Sequence, residues 1–151
     1  MSTEKSQQPS DTPIYSIVAP IYNEAETLPH FYQRAISVME GVGESFELIF
    51  INDGSRDESY NILCRLHNQD VRVRVVDFAR NFGHAQAIMA GLTHARGQAV
   101  IMLDSDLQDP PEVVPQLIKR WREGGEVISA QRVKRRGEQH SNCYRQRLSI
   151  S

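Results

Sequence analysis

Cysteine is scarce in this 151-residue chain, and the two present, Cys64 and Cys143, stand alone. Neither has the paired spacing of a zinc site and two thiols make no disulfide framework, so they read as spectator thiols in a reducing compartment. Long apolar runs are lacking as well: no stretch approaches the roughly 18 apolar residues of a membrane span. The opening MSTEKSQQPSDTP lacks the apolar centre of a signal peptide, so residues 1–13 are expected as a disordered tail on a cytosolic chain. Neither the GxxxxGK[ST] loop of nucleotidases nor the GxGxxG of dinucleotide folds occurs, so any bound phosphate has to be neutralised by other means.

With 40% apolar and 24% charged residues, the chain lies in the globular range and has length for one domain with a core. The net charge of -2 conceals an asymmetry: residues 1–118 carry 8 Lys/Arg against 16 Asp/Glu, and residues 119–151 carry 9 against 3. An acidic body therefore leads into a basic end, suited to solvent, to phosphates or to an anionic membrane surface. No aromatic residues interleave with those basic ones in a binding pattern, which argues against nucleic acid.

Strand-like and helix-like segments alternate. YSIVAPI (15–21), FELIFIN (46–52), VRVRVVDF (71–78), AVIML (99–103) and VISAQ (127–131) read as strands. Between them, residues 26–43 place Leu28, Phe31, Ala35, Val38, Met39 and Val42 at helical spacing, and residues 56–69 place Tyr60, Leu63 and His67 on one face. Residues 84–95 form a small-residue helix, and Asp109 with Pro110 opens another whose buried face is Val113, Leu117, Ile118 and Trp121. Such alternation predicts an α/β fold: a doubly wound, mainly parallel sheet with helices on both faces.

In such a sheet ligands bind beyond the carboxyl ends of the strands. Asn23 and Glu24 follow the first strand, Asp53 the second, Arg80 the third, Asp104 and Asp106 the fourth. Asn, Asp and Gly also serve ordinary turns, but here they gather on one rim. The stretch IMLDSDLQDPPE (101–112) crowds acids past a buried strand, and like charges so close call for a cation. Mg2+ or Mn2+ fits, with Asp104 and Asp106 as carboxylate ligands, Gln108 as a neutral oxygen, and substrate phosphates completing the shell. Asp53 is placed to accept from a base N–H or a ribose hydroxyl, and Tyr22 offers a flat face to a base.

The ordered set PIYNE (20–24), INDGSRD (51–57), RNFGHAQAIMAGLTHARG (80–97) and LDSDLQDPPE (103–112) resembles the inverting family-two glycosyltransferases of the GT-A fold. The likeness is to the branch that transfers sugars to polyprenyl phosphates, and runs from Tyr15 to Glu138. Residues 14–138 are thus expected as a nucleotide-sugar-binding domain, incomplete at its C-terminus, and 139–151 as a divergent basic tail. The resemblance implies that Pro20, Tyr22, Glu24, Asp53 and Ser105 hold the nucleotide sugar, with Arg80 along the nucleotide. It implies that Asp104, Asp106 and Gln108 bind the metal diphosphate, and that Arg132 faces donor or acceptor phosphates. Ala130-Gln131 replaces the family glycine beside Arg132.

The implied activity is metal-dependent inverting transfer of a hexose from a nucleoside-diphosphate sugar, UDP-glucose or a close relative, to a polyprenyl phosphate at the cytoplasmic face of the membrane. A lipid phosphate, with a second pKa of about 6, is largely dianionic at neutral pH and hardly needs a general base. Of the five histidines, His84 lies nearest the rim. Two other readings stand beside this one: a nucleotide-sugar-binding fragment without the acceptor half, and a haloacid-dehalogenase-type phosphatase. The latter places its DxD after the first strand, whereas here it follows the fourth.

Overall fold

The computed structural model describes residues 12–106, 110–126, 128–133 and 143–148. Two units divide the chain, Met1–Asp109 and Pro110–Ser151. In the first, β1 (Tyr15–Ile21), α1 (Leu28–Val42), β2 (Phe46–Asn52), α2 (Ser59–Gln69), β3 (Val73–Asp77), α3 (His84–His94) and β4 (Ala99–Met102) alternate as expected. The sheet is parallel throughout, in the order β3-β2-β1-β4. After β3 the chain returns past β1 to reach β4, which makes the β1/β4 boundary the topological switch point.

Side-chain alternation along β2 divides the core. Phe50 meets Phe31 of α1 edge-on, with ring centroids 6.1 Å apart. Ile49 and Ile51 join Val18 of β1 against Ala87 of α3 on the opposite face. The small-residue character of α3 has a direct steric cause, because a Cβ on Gly91 would collide with the Val18 side chain. On α1 the buried residues are Leu28, Phe31, Ala35 and Met39, following the expected spacing.

Helix α2 departs from expectation. It starts at Ser59 rather than Arg56 and buries Ser59, Leu63 and Leu66, while Tyr60 remains 43% exposed and His67 lies outside the buried set. The start is delayed because residues 55–57 hydrogen-bond the turn after β1, and the inward stripe runs through Ser59, Leu63 and Leu66, with Ser59 and Leu66 each one position before the expected Tyr60 and His67. His67 instead hydrogen-bonds the Val73 carbonyl through Nδ1, at 2.7 Å.

In the second unit, a 3-10 turn (Pro111–Val113) leads into α4 (Val114–Arg122), with Pro111 in the first-turn position expected for Pro110. Asp109, the expected cap, lies outside the described residues. The sequence predicts a fifth strand of the same sheet over residues 127–131; instead β5 (Ile128–Val133) pairs antiparallel with β6 (Cys143–Leu148) in a separate two-stranded sheet. An antiparallel partner can follow without a crossover helix, which removes the need to join the parallel sheet. Strand β6 lies in the segment expected as a basic tail. Among the described residues, no helix is long and apolar enough to cross a membrane.

Two carboxylates brace the sheet away from the rim. Glu47, 2% exposed, sits opposite Ser16 in the β1/β2 register and accepts its hydroxyl at 2.7 Å. The Arg96 backbone N–H also donates to it at 2.8 Å, as do the side chains of Arg74 (2.9 Å) and Arg96 (3.0 Å). Burial alone would raise its pKa, but these donors together hold it below the ordinary carboxylate value. Asp70 accepts two bonds from the Arg72 guanidinium and one from the Tyr32 hydroxyl. Arg72 beside it draws the Asp70 carboxyl down to about 2, against the push of burial.

Truncating Glu47 takes the acceptor from the buried Ser16 hydroxyl and the Arg96 N–H, whereas the part-exposed Arg74 and Arg96 side chains turn to water. Glu47→Ala is therefore expected to cost about 2 kcal/mol, read from urea unfolding. Because the Asp70 pKa is depressed, its contribution is complete above its unfolded value and disappears as pH falls through about 2. Urea midpoints measured from pH 5 to 2 should therefore fall less steeply in Asp70→Asn than in the parent chain.

Candidate functional site

Three strand-end turns are stitched together before any ligand is considered. After β1, Asn23 adopts a left-handed conformation (φ 50°), which its short polar side chain tolerates. Its backbone N–H donates to Ser55 Oγ (3.0 Å), and its Oδ1 accepts the Arg56 N–H (2.8 Å). Next, the Glu24 N–H donates to Ser59 Oγ (2.9 Å) and the Ala25 N–H to Asp57 Oδ2 (3.1 Å). Asp57 also accepts the Ser59 N–H. Burial pushes the Asp57 carboxyl upward, yet the bonds from Ser59 and Ala25 outweigh it and leave its pKa below the usual range. This explains the spacing of NEA and GSRDES: each fills the other's open backbone groups.

The turn after β2 grips the one after β3. Asp53, 4% exposed, accepts the Phe82 N–H on Oδ1 (2.7 Å) and the Gly83 N–H on Oδ2 (3.1 Å). The Asn81 side-chain amide donates to the Asp53 carbonyl at 3.2 Å. Gly54, at φ +70°, lies so near that a Cβ would collide with the backbone of Arg80 and Asn81. The Arg80 guanidinium lies over the Phe82 ring, 4.4 Å from its centroid, and Phe82 packs edge-on against Phe78.

Two cavities open on this rim. The first, about 420 Å³, is lined by Pro20, Tyr22, Glu24, Asp53, Asp104, Ser105 and Asp106, all of them expected site positions, together with Ile21, Asn81, Gly83 and His84. The second, about 390 Å³, holds Arg80 with Asn52, Arg56, Tyr60 and Asp77 among its lining. Tyr22 and Asn81 border both. Gln108 lies outside the described residues, as does the side chain of Arg132. Sequence reasoning misses Asn81, Gly83, Tyr60 and Asp77; the amide and the glycine that lie just beyond Arg80 are the available signal.

Ser105 is buried between the two exposed acids and its hydroxyl donates to the Pro20 carbonyl (3.3 Å), which fixes the turn after β4 against the end of β1. The Asp104 Oδ1 lies 4.0 Å from His84 Nε2. Among the described residues, no three His, Cys, Asp or Glu side chains form a group able to hold a metal. The pair Asp104 and Asp106 nevertheless fits the Mg2+ pattern, in which one or two carboxylates suffice and waters and phosphates supply the remaining oxygens.

Comparison with known proteins points the same way. The profile of the Glycosyl transferase family 2 family matches residues 16–149, past the Glu138 limit of the motif resemblance. An uncharacterized glycosyltransferase of Bacillus subtilis, YkcC, is 50% identical over 124 residues, covering 82% of this chain and 38% of that protein. A bactoprenol glucosyl transferase of Shigella phage SfV is 44% identical over 117 residues, covering 78% of this chain and 38% of that protein. The chain thus spans less than two fifths of the length of either relative. Among solved structures, the Pyrobaculum calidifontis mannosyltransferase in complex with GDP-Man and Mn2+ superposes with a TM-score of 0.65 at 22% identity, over 85% of this chain and 40% of that one. The sheet order, the helices on both its faces and this likeness identify the GT-A type of fold, and with the profile match they place the chain in glycosyltransferase family 2.

Proposed function

We propose that residues 14–138 form the donor-binding part of an inverting glycosyltransferase that moves a hexose from a nucleoside-diphosphate sugar to a polyprenyl phosphate. The observation that carries this reading is the cavity shared by Asp104, Asp106, Glu24 and Asp53. The bactoprenol glucosyl transferase similarity supports the lipid acceptor and favours UDP-glucose or a near relative as donor. Because Tyr22 borders both cavities, the donor lies across its ring, with the base toward Arg80 and the diphosphate toward the aspartates.

Asp104 and Asp106 would hold Mg2+ or Mn2+, with Gln108 as a third oxygen. Such a cation supplies charge neutralisation at the departing diphosphate. Tyr22 and Pro20 orient the nucleoside, and Arg132 faces a phosphate of donor or acceptor. An oxygen of the lipid phosphate attacks the anomeric carbon; the bond to the diphosphate oxygen breaks, and its electron pair leaves with the nucleoside diphosphate. One displacement inverts the centre. No proton has to be removed from a dianionic acceptor, so the exposed His84 is not required as a base. The excess of Lys and Arg in residues 119–151 suits an anionic membrane surface.

Calorimetric titration with UDP and with GDP, each with and without Mn2+, tests the reading. One nucleotide is expected to bind only with the metal, and Asp104→Asn should weaken that binding by at least about 10-fold, or 1.4 kcal/mol. Equal affinity in the variant would remove the metal assignment.

A further inference from the structure

Arg56 is not among the site positions expected from the sequence, yet it lines the second cavity together with Arg80. Its backbone is fixed, since the Arg56 N–H donates to Asn23 Oδ1 (2.8 Å) and Ser55 Oγ accepts the Asn23 N–H (3.0 Å). Gly54 brings this turn so near the one after β3 that a Cβ would strike the backbone of Arg80 and Asn81, and two guanidiniums from different turns thereby reach one space. Arg72, Arg74 and Arg96 each bond a carboxylate, at 2.8, 2.9 and 3.0 Å. Among the described residues Arg56 and Arg80 bond none, although Asp77 lines the same cavity and accepts the Asn52 amide at 2.7 Å. Asn52 Oδ1 is buried there and has no hydrogen-bond partner among the described residues, a state that a ligand or a water normally completes. A guanidinium only donates, so what this pair awaits is an acceptor.

We infer that Arg56 is a specificity-determining residue: together with Arg80 it receives the exocyclic carbonyl of the donor's base. The inference rests on the proposed donor site, in which the base lies across Tyr22. That residue borders both cavities, so uracil or guanine can give its ring N–H to Asp53 in the first and the adjacent carbonyl to Arg56 and Arg80 in the second. Asp53 retains lone pairs for this beyond the two amides it accepts. Cytosine and adenine carry an amino group where uracil and guanine carry the oxygen. An amine there sets donor against donor and leaves the guanidiniums unsatisfied. The cavity therefore selects a keto base.

The test uses the full chain and Arg56→Gln, a change at an exposed residue that keeps its backbone N–H. Uridine and guanosine are first titrated without metal while the arginine Nε–H signals are followed by NMR, and one of the two should shift the Arg56 and Arg80 signals together. In calorimetry with Mn2+, Arg56→Gln should then weaken the diphosphate of that base, UDP or GDP, by about 10-fold. The matching 4-thio-UDP or 6-thio-GDP keeps the ring N–H but offers sulfur, a poor acceptor, and should lose less than about 2-fold; inorganic pyrophosphate should lose nothing. Arg56→Lys, which keeps the charge without the planar fork, should fall between parent and Arg56→Gln. Equal losses for the keto and thio nucleotides, or a loss extending to pyrophosphate, would overturn the carbonyl contact, as would Arg56 signals that neither nucleoside moves. If neither pyrophosphate nor a nucleoside diphosphate binds with Mn2+ while a nucleoside still shifts Arg56, the metal half of the donor reading fails and the Arg56 contact stands.

Discussion

Backbone N–H groups at the ends of parallel strands have no ladder partner, and leaving them buried and unpaired is costly. In this chain carboxylates from neighbouring turns meet that need. Asp57 serves the turn after β1, and Asp53 serves the turn after β3. Charged acceptors make the stronger class of hydrogen bond, so loops that would otherwise move independently are joined into one rim. The cavities, the placement of Arg80 and the approach of Asp104 to His84 all presuppose that joining.

Topology decides where the rim is useful. The reversal of strand order puts β1 beside β4, so Pro20 and the acids after β4 face a common space, and the Ser105 hydroxyl closes the gap between them. The two exposed aspartates flank a buried serine because the turn needs its middle residue inside. A D-S-D sequence thus puts its middle residue into the turn and both its carboxylates on the cavity.

The parallel fold is legible in the sequence because apolar β-rich runs and helical spacing agree for the elements through β4. Most of the first cavity is legible too, since its acidic residues all follow strands. The features that escape have physical causes. The buried stripe of α2 runs through Ser59, Leu63 and Leu66 rather than Tyr60, Leu63 and His67, and nothing in local periodicity reveals that Ser59 is held by Glu24 or that Arg56 and Asp57 are engaged elsewhere. The antiparallel pairing of β5 with β6 is a non-local choice between two partners that both suit a short apolar strand. Asp53 is legible as an acid of the cavity, but the Phe82 and Gly83 amides that it also accepts are not.

Glu47 and its arginines lie at the amino-terminal ends of the strands, the opposite pole from the cavities. Fold maintenance and the candidate site are therefore carried by separate sets of ions on one sheet. A lineage can revise the mouth of such a sheet while its foundation remains intact, which makes this architecture a permissive starting point for change at the rim.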